Sequence, residues 1–125
     1  MLVLDAGAFV AVERGNREVI ALVKREQLTG RVPVTHGGVV GQVWRGGRGK
    51  QALVARLLAG VDVVSLDDRL GKRAGMLLAL TGSADTIDAA VVCLASDGDD
   101  ILTSDPGDIA GLARTAGVHV ELIPV

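Results

Sequence analysis

The segment DILTSDPGDIAGLARTAGVHVELI, residues 100–123, carries the reading of the fold. Asp100–Thr103 is a short apolar, β-branched run and reads as a strand. Asp105-Pro106 has the form of a helix cap followed by proline at the first helical position. Pro106–Ala116 continues as a helix, and Gly117 stops it. Val118–Ile123 is again a strand. Strand, helix and strand in that order favour a parallel pair joined by a crossover helix.

The rest of the chain repeats this alternation. Met1–Leu4 is an apolar run read as a buried strand, and Asp5 opens a helical stretch that ends at Gly15. Arg17–Leu28 has a helical pattern closed by Gly30. Val32–Val34, with Pro33 inside, reads as a brief strand. Thr35–Trp44 reads as a helix broken by Gly46-Gly47. A helix over Lys50–Ala59 and a strand over Val61–Leu66 follow. Asp67 or Asp68 caps a helix to about Leu80, and Asp85–Ala95 forms another. About five strands and intervening helices predict an α/β protein with a mostly parallel sheet covered by helices.

The chain has 125 residues, which fits a single domain spanning 1–125. Its 49% hydrophobic content is enough for a real core without disulfides or a structural metal. Cys93 is the one cysteine, so no internal disulfide can form, and a reducing cytoplasm is the expected setting. The N-terminus lacks a basic start and Asp5 interrupts its apolar run, unlike a secretory signal. No apolar stretch is long enough to span a bilayer.

Net charge is only −2, but the charges are segregated. Between Gln27 and Val61 there is no acid, while Arg31, Arg45, Arg48, Lys50 and Arg56 are present. Between Ala74 and Ala113 there is no Lys or Arg, while Asp85, Asp88, Asp97, Asp99, Asp100, Asp105 and Asp108 are present. This pattern is consistent with a basic rim beside an acidic site, and equally with ordinary solvated faces.

Ligands of open parallel sheets bind at the carboxyl ends of the strands. Asp5 follows the first strand there, and Asp105 follows Asp100–Thr103. Asp88 lies in the first turn of its helix, with Asp85 three residues earlier on the same face, and Asp108 bears the same relation to Asp105. Carboxylates brought together raise each other's pKa unless a counter-charge is present. A hard dication such as Mg²⁺ or Mn²⁺ supplies that charge and prefers oxygen ligands. The alternative for each acid alone is simpler: Asp5, Asp85 and Asp105 stand where helix caps belong, and Asp88 and Asp108 suit a helix N-terminus. Only their convergence on one sheet edge favours a metal site.

Four segments together resemble PIN-domain nucleases, most closely the VapC-type toxins of bacterial toxin–antitoxin pairs: LDAGAFVAV (4–12), VVGQVWRGG (39–47), TIDAAVVCLA (86–95) and ILTSDPGDIAGLA (101–113). The likeness covers essentially the whole chain. It implies a three-layer sandwich with a five-stranded, mostly parallel sheet. It also implies Mg²⁺, with Mn²⁺ able to substitute, endonucleolytic cleavage of RNA, a homodimer and an inhibiting antitoxin. Asp5, Asp88 and Asp105 match the family's first, third and fourth acids, with Asp108 as a companion to the last. Thr103 and Ser104 match the small hydroxyl residues before the fourth acid. Gln42 stands where the family usually has Glu. A neighbouring aspartate such as Asp85 offers compensation, and the rival expectation is a catalytically weakened binding module for antitoxin or RNA. Arg45, Arg48 and Lys50 are the expected contacts to substrate phosphates.

The remaining residues point to no other chemistry. His36 and His119 have no Ser or Cys partner arrangement and read as ordinary polar residues. Cys93 falls on an apolar helix face, and Trp44 reads as packing. Lys50 follows Gly49 without the preceding strand or the following Ser or Thr of a P-loop. A receiver domain needs an acid pair after the first strand and a late lysine, and this chain has neither.

Overall fold

The structure is a computed structural model describing all residues, Met1–Val125. Five parallel strands form one sheet in the order β3-β2-β1-β4-β5: β1 (Leu2–Leu4), β2 (Val34–His36), β3 (Asp62–Val64), β4 (Asp100–Thr103) and β5 (Glu121–Pro124). Seven α-helices cover it: α1 (Ala6–Glu13), α2 (Arg17–Leu28), α3 (Gly37–Val43), α4 (Ala52–Ala59), α5 (Asp68–Thr81), α6 (Thr86–Leu94) and α7 (Pro106–Ala116). The sheet is wholly parallel, and the α/β class expected from the alternation holds.

The central strands are apolar on both sides, since Val3, Leu4, Ile101 and Leu102 are fully buried between helix layers. One layer contains α1 packed on α2, α3 and α4, and the other contains α5, α6 and α7 packed on one another. Phe9 of α1 is the largest fully buried side chain. The outer strands β3 and β5 are more exposed, as edges are. No single helix is long and apolar enough to cross a membrane.

Boundaries moved where backbone chemistry required it. β2 begins at Val34, not Val32, because Pro33 has no N–H for a ladder; its carbonyl instead accepts from Asp62 N–H at 2.8 Å. The helix expected from Thr35 starts at Gly37, because Thr35 and His36 belong to the strand. β5 starts at Glu121 because His119 is engaged elsewhere: its carbonyl accepts from Gly98 N–H and its N–H donates to Asp97 Oδ1, both at 2.8 Å. Arg17–Leu28, Asp100–Thr103 and Pro106–Ala116 have the expected bounds.

The strand order fixes where a ligand fits. From β1 the chain crosses to β2 on one side, and from β4 it crosses to β5 on the other. Right-handed crossovers therefore place α1 and α7 on opposite faces. The connections diverge between β1 and β4, which leaves a crevice at their carboxyl ends.

Candidate metal centre

Asp5 and Asp105 stand at that crevice. The ladder pairs Leu4 with Leu102, and Asp5 N–H extends it to the Leu102 carbonyl at 3.0 Å. The next residue of β4 is Thr103, whose buried hydroxyl donates to Asp5 Oδ2 at 2.8 Å. The same hydroxyl accepts from Asp105 N–H at 3.0 Å. Thr103 thus joins the two acids in one hydrogen-bonded chain. Asp5 Oδ1 accepts from Ala6 N–H at 2.8 Å, so Asp5 caps α1 with one oxygen and is oriented by Thr103 through the other.

A close approach of backbone makes this possible. A Cβ on Gly7 would fall 2.7 Å from the backbone nitrogen of Ser104. Only a glycine lets the first turn of α1 come this near the end of β4. Ser104 itself is exposed and holds this contact.

Asp88 enters from the other helix layer. Asp85 caps α6, its Oδ1 accepting from Asp88 N–H at 3.0 Å. Asp88 is only 8% exposed. Carboxylate oxygens of Asp88, Asp105 and Asp108 all lie within 4.8 Å of one another. Burial, and then the charges of Asp5, Asp85, Asp105 and Asp108, push Asp88 up to about 7. Asp105 is exposed, and its pKa is raised chiefly by the Asp108 charge beside it. The molecule's ion pairs lie elsewhere, at Met1–Asp99, Arg31–Glu26 and Lys72–Asp68, so none of these five aspartates has a cationic partner.

Capping explains only part of this arrangement. It accounts for Asp85 and for one oxygen of Asp5. Asp105 occupies the cap position of α7 but makes no cap hydrogen bond, so its carboxylate is free to face Asp88 and Asp108. An all-oxygen set with a surplus of negative charge and no internal cation fits a hard divalent ion.

The structure does not bring Gln42 into this hydrogen-bonded group; it is exposed on α3. Arg45, Arg48 and Lys50 are exposed on the loop between α3 and α4. That loop is organised by buried Gln51, whose Nε2 donates to the Val43 carbonyl and whose Oε1 accepts from Arg45 and Gly47 N–H groups. Trp44, read as packing from the sequence, lies over Gly47 but is 39% exposed. Lys50 shares a shallow depression with Val10, Glu13 and Arg14 near the end of α1. A depression of about 870 Å³ lies beside α7 and β5, away from the five clustered aspartates, with Asp100, Arg114, His119 and Glu121 on its wall.

Cys93 is half-buried against the core, as its helix face suggested. His36 is the residue misjudged from sequence: it is fully buried at the carboxyl end of β2. The available signal was its place at the same sheet edge as Asp5.

No protein-family model matches the chain, and no curated protein matches it. Solved structures do. A chain of VapBC2 from Rickettsia felis, solved bound to a DNA fragment from their promoter, is 10% identical, superposes with a TM-score of 0.70, and the match covers 98% of each chain. A chain of FitAB bound to an IR36 DNA fragment is 16% identical with a TM-score of 0.63, covering 98% of this chain and 94% of the other. A chain of FitAcB from Neisseria gonorrhoeae is 13% identical with a TM-score of 0.62, covering 97% and 96%. At these identities the likeness is one of fold, and the fold is PIN-like.

Proposed function

We propose that this chain, acting as a single PIN-like domain, is a Mg²⁺- or Mn²⁺-dependent endoribonuclease and the toxin of a cytoplasmic toxin–antitoxin pair. The observation that carries the reading is Asp88: a buried carboxylate at the switch point, facing four other aspartates, with no cation of the protein's own. Asp88, Asp105 and Asp108, whose oxygens lie within 4.8 Å of one another, would hold the ion, with Asp85 adding negative charge nearby. Asp5 is not within that distance and both its oxygens accept hydrogen bonds, so it would join only by turning an oxygen toward the ion. A divalent ion there supplies charge neutralisation at a phosphoryl oxygen and lowers the pKa of water.

The chain's own groups do the rest. Thr103 fixes the rotamer of Asp5 through its hydroxyl. Asp85 holds the first turn of α6, which carries Asp88. Asp105 and Asp108, exposed at the rim, would be the chain's own proton acceptors for an approaching water. Arg45, Arg48 and Lys50 would bind flanking phosphates. VapBC2 and FitAB were each solved on DNA; the sequence resemblance to VapC-type toxins carries the reading that this chain would pair with a cognate antitoxin and form a homodimer. The neutral, exposed Gln42 favours a second reading, a weakened PIN-like module that binds without efficient cleavage.

Incubation with a mixed RNA pool separates the two. Cleavage by the wild type in Mg²⁺ or Mn²⁺, absent in EDTA and in Asp88→Asn, is expected. Metal-dependent RNA binding without cleavage would favour the module. Cleavage that persists in EDTA would defeat the metal-centre reading.

A further inference from the structure

His36 is fully buried, and nothing in the chemistry above employs it. Its Nδ1 accepts from Gly38 N–H at 3.0 Å and so caps α3. With Nδ1 an acceptor, the neutral ring carries its proton on Nε2. Nε2 stands 3.0 Å from the carbonyl of Ile87, a residue 51 positions away in sequence, and donates to it. Burial holds the ring's pKa below the ordinary histidine value, in keeping with this neutral form. Ile87 immediately precedes Asp88.

The packing around the ring is as close as its hydrogen bonds are directional. A Cβ at position 38 would lie 2.5 Å from Ile87 Cδ1 and 2.8 Å from His36 Cε1. Glycine there allows the imidazole, the first turn of α3 and the first turn of α6 to nest together. The Asp85 cap lies at the start of α6 itself and moves with it, so it cannot set the helix against the sheet. The His36 bond can, because His36 belongs to β2. Repulsion from four aspartates acts on Asp88 in the metal-free protein, and a fixed link to the sheet opposes its displacement.

We propose that His36 is a positioning residue: through the Nε2–H bond to the Ile87 carbonyl it locks the first turn of α6 to the sheet and so presents Asp88 to Asp5 and Asp105. The role in metal binding rests on the metal-centre reading, whereas the clamp itself does not. A group that orients a metal-binding side chain typically governs affinity by tenfold or more.

Two substitutions divide the two bonds of the ring. In His36→Gln the amide nitrogen reaches about as far as Nε2 and retains the Ile87 bond. In His36→Asn the side-chain oxygen stands near the place of Nδ1, so the cap of α3 survives and the Ile87 bond is lost. Calorimetric titration of the full chain with Mn²⁺ alone reads affinity. Amide exchange at Asp88 and Ala89 in EDTA reads the clamp, and melting temperature reads the fold. His36→Asn should weaken Mn²⁺ binding by about tenfold and speed exchange at both amides, while His36→Gln stays within about twofold of wild type. A purely structural histidine predicts instead that both variants lose affinity in proportion to their loss of stability. Equal Mn²⁺ affinity and exchange in His36→Asn and wild type, or equal damage in both variants, overturns the proposal. If His36→Asn does not fold, His36→Gln decides alone, and a tenfold loss of affinity in it counts against the clamp. If the wild type binds no Mn²⁺, the metal-centre reading fails, and the exchange comparison still decides whether His36 holds α6.

Discussion

Asp88 and Asp99 are equally buried, each 8% exposed, and sit at opposite ends of the sheet. At the amino-terminal end, Asp99 faces the chain's own ammonium group at 3.1 Å and accepts from Ser96 N–H at 2.8 Å. Nearby Asp97 caps His119 N–H. Those acids finish loops. At the carboxyl end, Asp88 meets only other carboxylates, and its proton is held up to about 7. Burial and residue type are the same, so the difference lies in the counter-charge. One end of the sheet is electrically complete, whereas the other has no cation of the chain's own beside its acids.

Exchanging the two acids for amides gives the largest contrast. Asp88→Asn should abolish metal-dependent RNA cleavage, by about a hundredfold or more, since even the loss of a supporting group at a metal centre costs ten- to a hundredfold. It should also raise the stability of the metal-free protein by relieving repulsion. Asp99→Asn should leave cleavage intact and lower stability by about 1 kcal/mol, because its ammonium partner is half-exposed. Cleavage rates and thermal melts of both variants check this, and a loss of activity from Asp99→Asn alone would erase the contrast.

The same asymmetry has a pH signature. An aspartate in the unfolded chain titrates near 3.8, and Asp88 in the fold titrates near 7. Between these values the native state holds a proton that the unfolded state lacks, so metal-free stability falls as pH rises through that window. The ceiling from Asp88 is about 4 kcal/mol, with the stabilising contribution fully present below the unfolded value and lost above the folded one. Metal at about 100 times its Kd should restore about 2.7 kcal/mol at pH 7.5. Denaturant unfolding in EDTA from pH 4.5 to 8, wild type against Asp88→Asn, isolates the term. Parallel curves for the two proteins would show that Asp88 titrates normally.

A smaller effect belongs to the basic loop. Gln51 holds the loop's backbone; cutting Arg45, Arg48 and Lys50 to Ala keeps those bonds and gives up only the exposed Arg45 guanidinium bonds to the Gly41 and Trp44 carbonyls. The triple variant should keep its Mn²⁺ affinity and lose RNA affinity. The slope of log affinity against log salt should shrink by about 2, at about 0.7 per phosphate contact on a single strand. An unchanged slope means that RNA enters by another route.

The sequence disclosed the fold well because local signals agreed with the tertiary outcome: Asp105-Pro106, Gly117 and the apolar run at Leu2–Leu4 mark element ends that do not depend on distant residues. It placed Asp5 and Asp105 at one edge because strand ends are countable. It missed His36, whose partners are Gly38 nearby and Ile87 on a distant helix. Nothing local distinguishes a buried, neutral, doubly bonded histidine from a solvated one. Gly7 was equally silent, since its need for a missing Cβ arises only when β4 arrives beside α1.

Gln42 tests the comparison at its finest. The carboxyl end of the sheet lacks a cation, not an anion, so a further negative charge there helps only when a metal is bound. Gln42 is exposed, and a charge placed on it is screened by water. Gln42→Glu should therefore fold as the wild type does and strengthen Mn²⁺ binding by no more than about 1 kcal/mol, a few-fold in affinity. In EDTA the same change should be neutral or slightly destabilising, through repulsion across the rim. If Asp85 already supplies the missing charge, Asp85→Asn should reduce cleavage sharply while Gln42→Glu changes little, and Gln42→Glu should partly rescue Asp85→Asn. Mn²⁺ titration of cleavage for the wild type, both single variants and the double variant measures the coupling directly. Strict additivity, with no rescue, would place Gln42 outside the field of the acids and remove it from the site.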